Sequence, residues 1–150
     1  MLLLINVDLI KDSEGFREKA YKCPAGKWTV GYGSTFYQDM TPVKEGDTIT
    51  REKAEELLHW YCDTQIKYPR NDLNDDQKSA LCSLIYNIGP GAFDRSKCKK
   101  AIVAEDWQEA HRQWDWITAN GKVLPGLVIR RQKEKELFFR GLLLFGFILY

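Results

Sequence analysis

The chain has 150 residues, a formal net charge of +1, and a composition that is 44% apolar and 29% charged. Those proportions exclude a disordered or fibrous chain and suit a globular protein with one core, large enough to be split between two lobes. A near-neutral balance provides no long-range field for nucleic acid, and a basic pair such as Arg130-Arg131 reads as a solvated helix face.

The opening "MLLLI" is too short for a signal peptide or a membrane span, because Asp8 and Lys11 interrupt it. Asn6 is placed to cap a first helix from Val7 to about Glu14, which Gly15 ends. Val7, Ile10 and Glu14 fall on one face at helical spacing. "AYKC" and "WTVGYG", separated by "PAGK", predict a β-hairpin with Trp28, Val30 and Tyr32 on one side and Thr29 on the other. Loop follows to about Thr48.

A long helix starts near Thr50 and must stop before Pro69. Asn74 and Gln77 have capping-box spacing, and Leu81, Leu84, Ile85 and Ile88 form a buried stripe ending at "NIGPGAF". "DWQEAHRQWDWI" predicts a further helix whose tryptophans fill core, "NGKVLPG" a turn, and "LVIRRQKEKELFF" the last helix. The apolar tail "GLLLFGFILY" is about half of the ~20 residues that span a bilayer, and packing on the core is its expected fate. The arrangement is α+β: a small lobe with a hairpin, about residues 12–50, joined by a long helix to a helical lobe, about 51–150 plus the N-terminal helix, in one domain over 1–150.

Cys23, Cys62, Cys82 and Cys98 are widely spaced and form no CxxC pair, which argues against a structural zinc site and for free thiols in a reducing compartment. Glu14 is the unusual residue. A carboxylate on an apolar face is costly unless it is protonated or paired, for instance with Arg112 or Arg130. A thiol at the following turn and a hydroxyl on the hairpin give it chemical company.

Glu14, eight residues, Cys23, five residues, Thr29 resembles the catalytic Glu–Asp/Cys–Thr spacing of phage-type lysozymes, the muramidase endolysins of the glycoside hydrolase 24 type. "DQKSALCSLIYNIGPGAF" and "GKVLPGLVIRRQKEKELF" resemble that family's helical-lobe segments, so the likeness covers about residues 5–140. It implies a lysozyme-like fold and hydrolysis of the β-1,4 bond between N-acetylmuramic acid and N-acetylglucosamine in peptidoglycan, leading to host lysis. By that resemblance Glu14 is the proton donor, Cys23 stands where many members have the aspartate that positions or activates water, and Thr29 helps hold that water.

A thiol at its usual pKa is mostly neutral at pH 7, so Cys23 needs an environment that favours thiolate, for which Lys22 and Lys27 are near in sequence. Thr35, Tyr86, Asn87 and Ser96 resemble substrate-contacting positions, and Ser34 departs from the histidine common in relatives.

The resemblance further implies no metal or cofactor, no nucleic-acid partner, no stable membrane insertion and a monomer acting on glycan strands. It places synthesis in the host cytoplasm, with release to the wall or periplasm depending on a holin-like protein. Three alternatives remain. A lytic transglycosylase needs the glutamate alone, and a sugar-binding module needs no catalysis. A cysteine peptidase or amidase would pair Cys23 with His59 or His111.

Overall fold

The computed structural model describes residues 5–142; most of the apolar tail, and the first four residues of "MLLLI", lie outside them. The element order is α1 (Asp8–Glu14), β1 (Arg17–Lys22), β2 (Trp28–Gly31), α2 (Arg51–Thr64), α3 (Asp75–Ile88), α4 (Pro90–Asp94), α5 (Lys97–Val103), α6 (Trp107–Gln113), β3 (Thr118–Ala119), β4 (Lys122–Val123) and α7 (Pro125–Phe139). The fold is α+β, helices with two small antiparallel hairpins. The chain forms two compact units, one over residues 10–65 and the other from Ile66 onwards together with the first residues up to Leu9.

In the first unit, α1 closes on Gly15, whose N–H donates to the Lys11 carbonyl at 3.0 Å and whose φ is +69°. That left-handed end suits glycine. β1 and β2 pair Tyr21 with Thr29 and Lys22 with Trp28, with a bulge between Arg17 and Tyr21. Alternation along β2 is lost: Thr29 is as buried as Val30 and Gly31. Gly31 explains this, because a Cβ on it would lie 3.0 Å from Ala54 Cβ, so β2 rides directly on α2. The segment expected to be loop is tied down by main-chain bonds: Ala20 N–H to Asp47 O, Ile49 N–H to Glu18 O, and the reciprocal pair between Val30 and Ser34. Thr50 caps α2 by accepting from Lys53 N–H, and Lys11 pairs with Glu55 at 2.8 Å.

The second unit is organised by α3, which packs along α7. The Asn74–Gln77 capping box forms as read, and Leu81, Leu84 and Ile85 are buried. Trp114, Phe138 and Phe139 pack as a tilted aromatic cluster that Trp107 and His111 join from its edge. Among the described residues no helix is long and apolar enough to cross a membrane.

Several expectations need correction. The helix read over 106–117 ends at Gln113, and the chain turns into the β3–β4 hairpin through Asn120 and Gly121, both with positive φ. Asn-Gly favours that turn, and the local preference overrides helical continuation. α5 is a helix the sequence reading lacks, although Ser96 caps it and Cys98, Ala101 and Ile102 are buried at helical spacing. Arg130 and Arg131 are not a solvated face but buried, at 5% and 1% exposure. Cys62 and Cys82 are not free thiols; both are disulfide-bonded, while Cys23 and Cys98 remain free. A persistent disulfide fits an oxidising compartment rather than a reducing one.

Candidate active site

Glu14 is the last residue of α1, and the apolar side chains preceding it on that face, Val7 and Ile10, are buried. Glu14 itself emerges half-buried where Gly15 turns the chain into the hairpin. Gly15 thus ends the helix at the residue that carries the carboxylate.

Cys23 begins a tight hairpin loop. Its carbonyl accepts from Gly26 N–H at 2.8 Å and its N–H donates to Lys27 O at 2.9 Å. Pro24, Ala25 and Gly26 form the three-residue loop, and Gly26, with φ +80°, supplies the left-handed position that such a loop needs. This geometry curls the amides of Ala25 and Lys27 back toward the thiol. The Cys23 thiol is held below its usual pKa, chiefly by the Lys27 backbone amide, against opposing desolvation, with further help from the Ala25 amide and the Thr29 hydroxyl. The lysine charges suggested by the sequence are not the cause; the Lys22 ammonium lies over the Trp28 ring instead, 5.4 Å from its centroid.

Thr29, 2% exposed, completes the arrangement from β2. Its hydroxyl donates to Lys27 O at 3.1 Å and helps lower the Cys23 pKa. One hydroxyl has one proton to give, so a thiolate at Cys23 competes with the carbonyl for it. Glu14, Cys23 and Thr29 belong to one compact unit, and the Thr29 hydroxyl helps lower the Cys23 pKa. A carboxyl group, a thiol biased toward thiolate and a hydroxyl together can deliver a proton and activate water.

The phage lysozyme family model matches residues 11–134, which include all three residues. The chain belongs to the phage lysozyme family. The endolysin of Acyrthosiphon pisum secondary endosymbiont phage 1 is 43% identical over 142 residues, covering 87% of this lysozyme and 92% of the relative. The endolysin of Salmonella phage P22 is 38% identical over 133 residues, covering 86% and 91%. Among solved structures, the muramidase domain of SpmX from Asticaccaulis excentricus is 34% identical with a TM-score of 0.71, covering 88% of this lysozyme and 92% of that chain.

The remaining positions read from the sequence are placed as follows. Thr35 is half-buried in the same unit as the triad, its carbonyl accepting from Val43 N–H. Tyr86, half-buried, and Asn87, exposed, occupy the end of α3 in the other unit. Ser96 caps α5, donating to Phe93 O at 2.6 Å and accepting from Lys99 N–H at 3.0 Å. Its hydroxyl therefore already has structural work in this lysozyme. The peptidase reading gains nothing: His59 sits beside Glu55 and His111 stacks on Phe139, while amides and a hydroxyl lower the Cys23 pKa. Sequence reasoning missed the amides of Ala25 and Lys27, for which "CPAGK" was the available signal.

Proposed function

We propose that this lysozyme hydrolyses the β-1,4 bond between N-acetylmuramic acid and N-acetylglucosamine, with Glu14 as proton donor and Cys23 with Thr29 activating the water. Glu14 gives its proton to the leaving glycosidic oxygen as the bond to the anomeric carbon breaks. Water attacks that carbon while its proton passes to the Cys23 thiolate, and Thr29 orients the pair. Proton transfer of this kind is worth about 10²–10⁴-fold in rate. The observation that carries the reading is the tight Cys23–Lys27 loop beside buried Thr29 in a chain that matches the phage lysozyme family over residues 11–134, a setting that lowers the thiol's pKa.

The test is solubilisation of purified peptidoglycan by wild type, Glu14→Gln and Cys23→Ser, with product analysis. Glu14→Gln should lose at least about 10³-fold and Cys23→Ser at least about 10²-fold, both keeping the wild-type melting temperature. Wild-type products should carry new reducing ends. Anhydro-sugar products together with an active Cys23→Ser would instead establish a lytic transglycosylase. Full activity of Glu14→Gln would reject both readings.

Delivery belongs to the same proposal: synthesis in the host cytoplasm, then release to the wall with a holin-like protein, as a monomer. Disulfide-bonded Cys62 and Cys82 suit the oxidising side of the membrane, where the wall is. Lysis of cells producing this lysozyme without any membrane-permeabilising protein would remove the holin requirement.

A further inference from the structure

A pocket of about 250 Å³ opens at the start of α3, lined by Asp72, Leu73, Asn74, Gln77 and Trp107, with Gly141 and Leu142 as its last wall. All of this lining belongs to the unit that runs from Ile66 onwards. The volume falls below the roughly 300–1,000 Å³ that enclose a small-molecule ligand, and suits side chains instead.

The polar walls are already engaged. Asn74 Oδ1 accepts from Gln77 N–H at 2.8 Å while Gln77 Oε1 accepts from Asn74 N–H at 3.0 Å. Both Asp72 carboxylate oxygens accept from Arg70 at 2.8 Å. What the pocket offers an occupant is therefore apolar: Leu73, Leu142 and the half-buried Trp107 ring. That ring lies 6.0 Å from Phe138, at the edge of the aromatic cluster.

The chain delivers its own apolar run to this place. α7 ends at Phe139, Arg140 pairs at 3.9 Å with Asp76 in the first turn of α3, and Leu142 N–H donates to Phe139 O at 3.1 Å. These bonds set Leu142 in the pocket wall, and the residues that follow it are Leu143, Leu144 and Phe145. A segment joined directly to the wall meets the pocket at an effective concentration in the millimolar range, which a free partner has to exceed.

We propose that residues 143–145 fold back into this pocket and seat their apolar side chains against Leu73 and Trp107. The tail then clasps the end of α7 to the start of α3 and keeps its own apolar surface from water, lipid and other copies of the enzyme. The pocket contains none of Glu14, Cys23 or Thr29, so the proposal stands apart from the reaction read above.

The experiment compares wild type with a chain truncated after Leu142 and with the length-preserving Leu143→Ser/Leu144→Ser/Phe145→Ser variant. Contact is read in wild type as NOEs from the Trp107 indole protons to the side chains of residues 143–145, with a Trp107→Phe chain to assign the indole signals. Those NOEs should be present. Both tail variants should melt roughly 5 °C lower, the shift that loss of one or two buried apolar side chains gives in a chain of this size. Acrylamide should quench Trp107 more strongly in them, while solubilisation of peptidoglycan keeps its wild-type rate. Absence of the NOEs, or a Tm within about 1 °C of wild type in both variants, overturns the proposal. It also fails if wild type sediments with phosphatidylethanolamine–phosphatidylglycerol vesicles, or as a dimer, and truncation abolishes that behaviour; the occupant is then a bilayer or a second copy. Should either variant not fold, the wild-type NOEs decide.

Discussion

Cys23 sits half-exposed at the start of a three-residue loop, whereas Glu134 is fully enclosed between α3, the end of α6 and α7. Both are acids surrounded by donors, yet their pKa values move in opposite directions. The Lys27 amide, with help from the Ala25 amide and the Thr29 hydroxyl, outweighs desolvation and lowers that of Cys23. Burial dominates at Glu134 and raises its pKa, despite donation from Ser83 Oγ at 2.7 Å, Trp114 Nε1 at 3.0 Å and Arg131 at 2.9 Å. Donors alone do not set the charge state; their balance against lost water does. The hairpin accordingly favours the thiolate of Cys23 more than an ordinary thiol's surroundings would. The interior holds a polar hub that joins α7 to α3, with Arg130 donating to the Ser83 carbonyl at 3.0 Å.

The comparison predicts that stability and activity separate. Glu134→Leu leaves buried arginines beside Ser83 and Trp114 without their common acceptor. It should cost about 3–5 kcal/mol and lower Tm by roughly 10 °C in thermal unfolding. If Tm moves by less than about 2 °C, the hub is not a structural joint. Cys23→Ser, by contrast, should change stability by less than about 0.5 kcal/mol while activity collapses.

A finer test acts on one donor. Thr29→Val removes a hydroxyl that stabilises the thiolate, so the Cys23 pKa should rise. The acid limb of the kcat/KM profile should shift to higher pH with it, and activity at neutral pH should drop by roughly tenfold. An unshifted limb would mean that the loop amides act alone.

Tyr37 supplies a contrast within the hairpin unit. Its hydroxyl donates to Asp47 at 2.7 Å, and burial with the Asp47 charge pushes its pKa up to about 12. The folded state keeps this proton above pH ~10, where the unfolded chain releases it. Its contribution is therefore complete below pH ~10 and lost as pH rises from there through about 12. Tyr37→Phe should flatten that part of the alkaline stability curve. The smallest effect is expected at Asn74→Ala, which removes the capping box from α3 and should cost about 1 kcal/mol in chemical unfolding.

Local chemistry was well represented in the linear chain. Asn74–Gln77 marked the start of α3, "PAGK" a tight turn, and Gly15 the end of α1, because each depends on neighbours within a few residues. Glu14, Cys23 and Thr29 were picked out as a spaced set by family resemblance, and Cys23 and Thr29 lie in one hairpin because a turn and a short strand fold back over that distance. Arg130 and Arg131 were misread because their neighbours in sequence look like a solvated helix, whereas their partners include Ser83, some fifty residues away.

By itself the sequence determined several caps and turns, such as Asn74–Gln77, Gly15 and the Cys23–Lys27 loop, since those follow from backbone preferences and short-range hydrogen bonds. Only the tertiary structure decided which charges lost their water, which cysteines joined in a disulfide and which amides turned toward the Cys23 sulfur. Those outcomes depend on distances between groups that the order of residues along a chain does not contain.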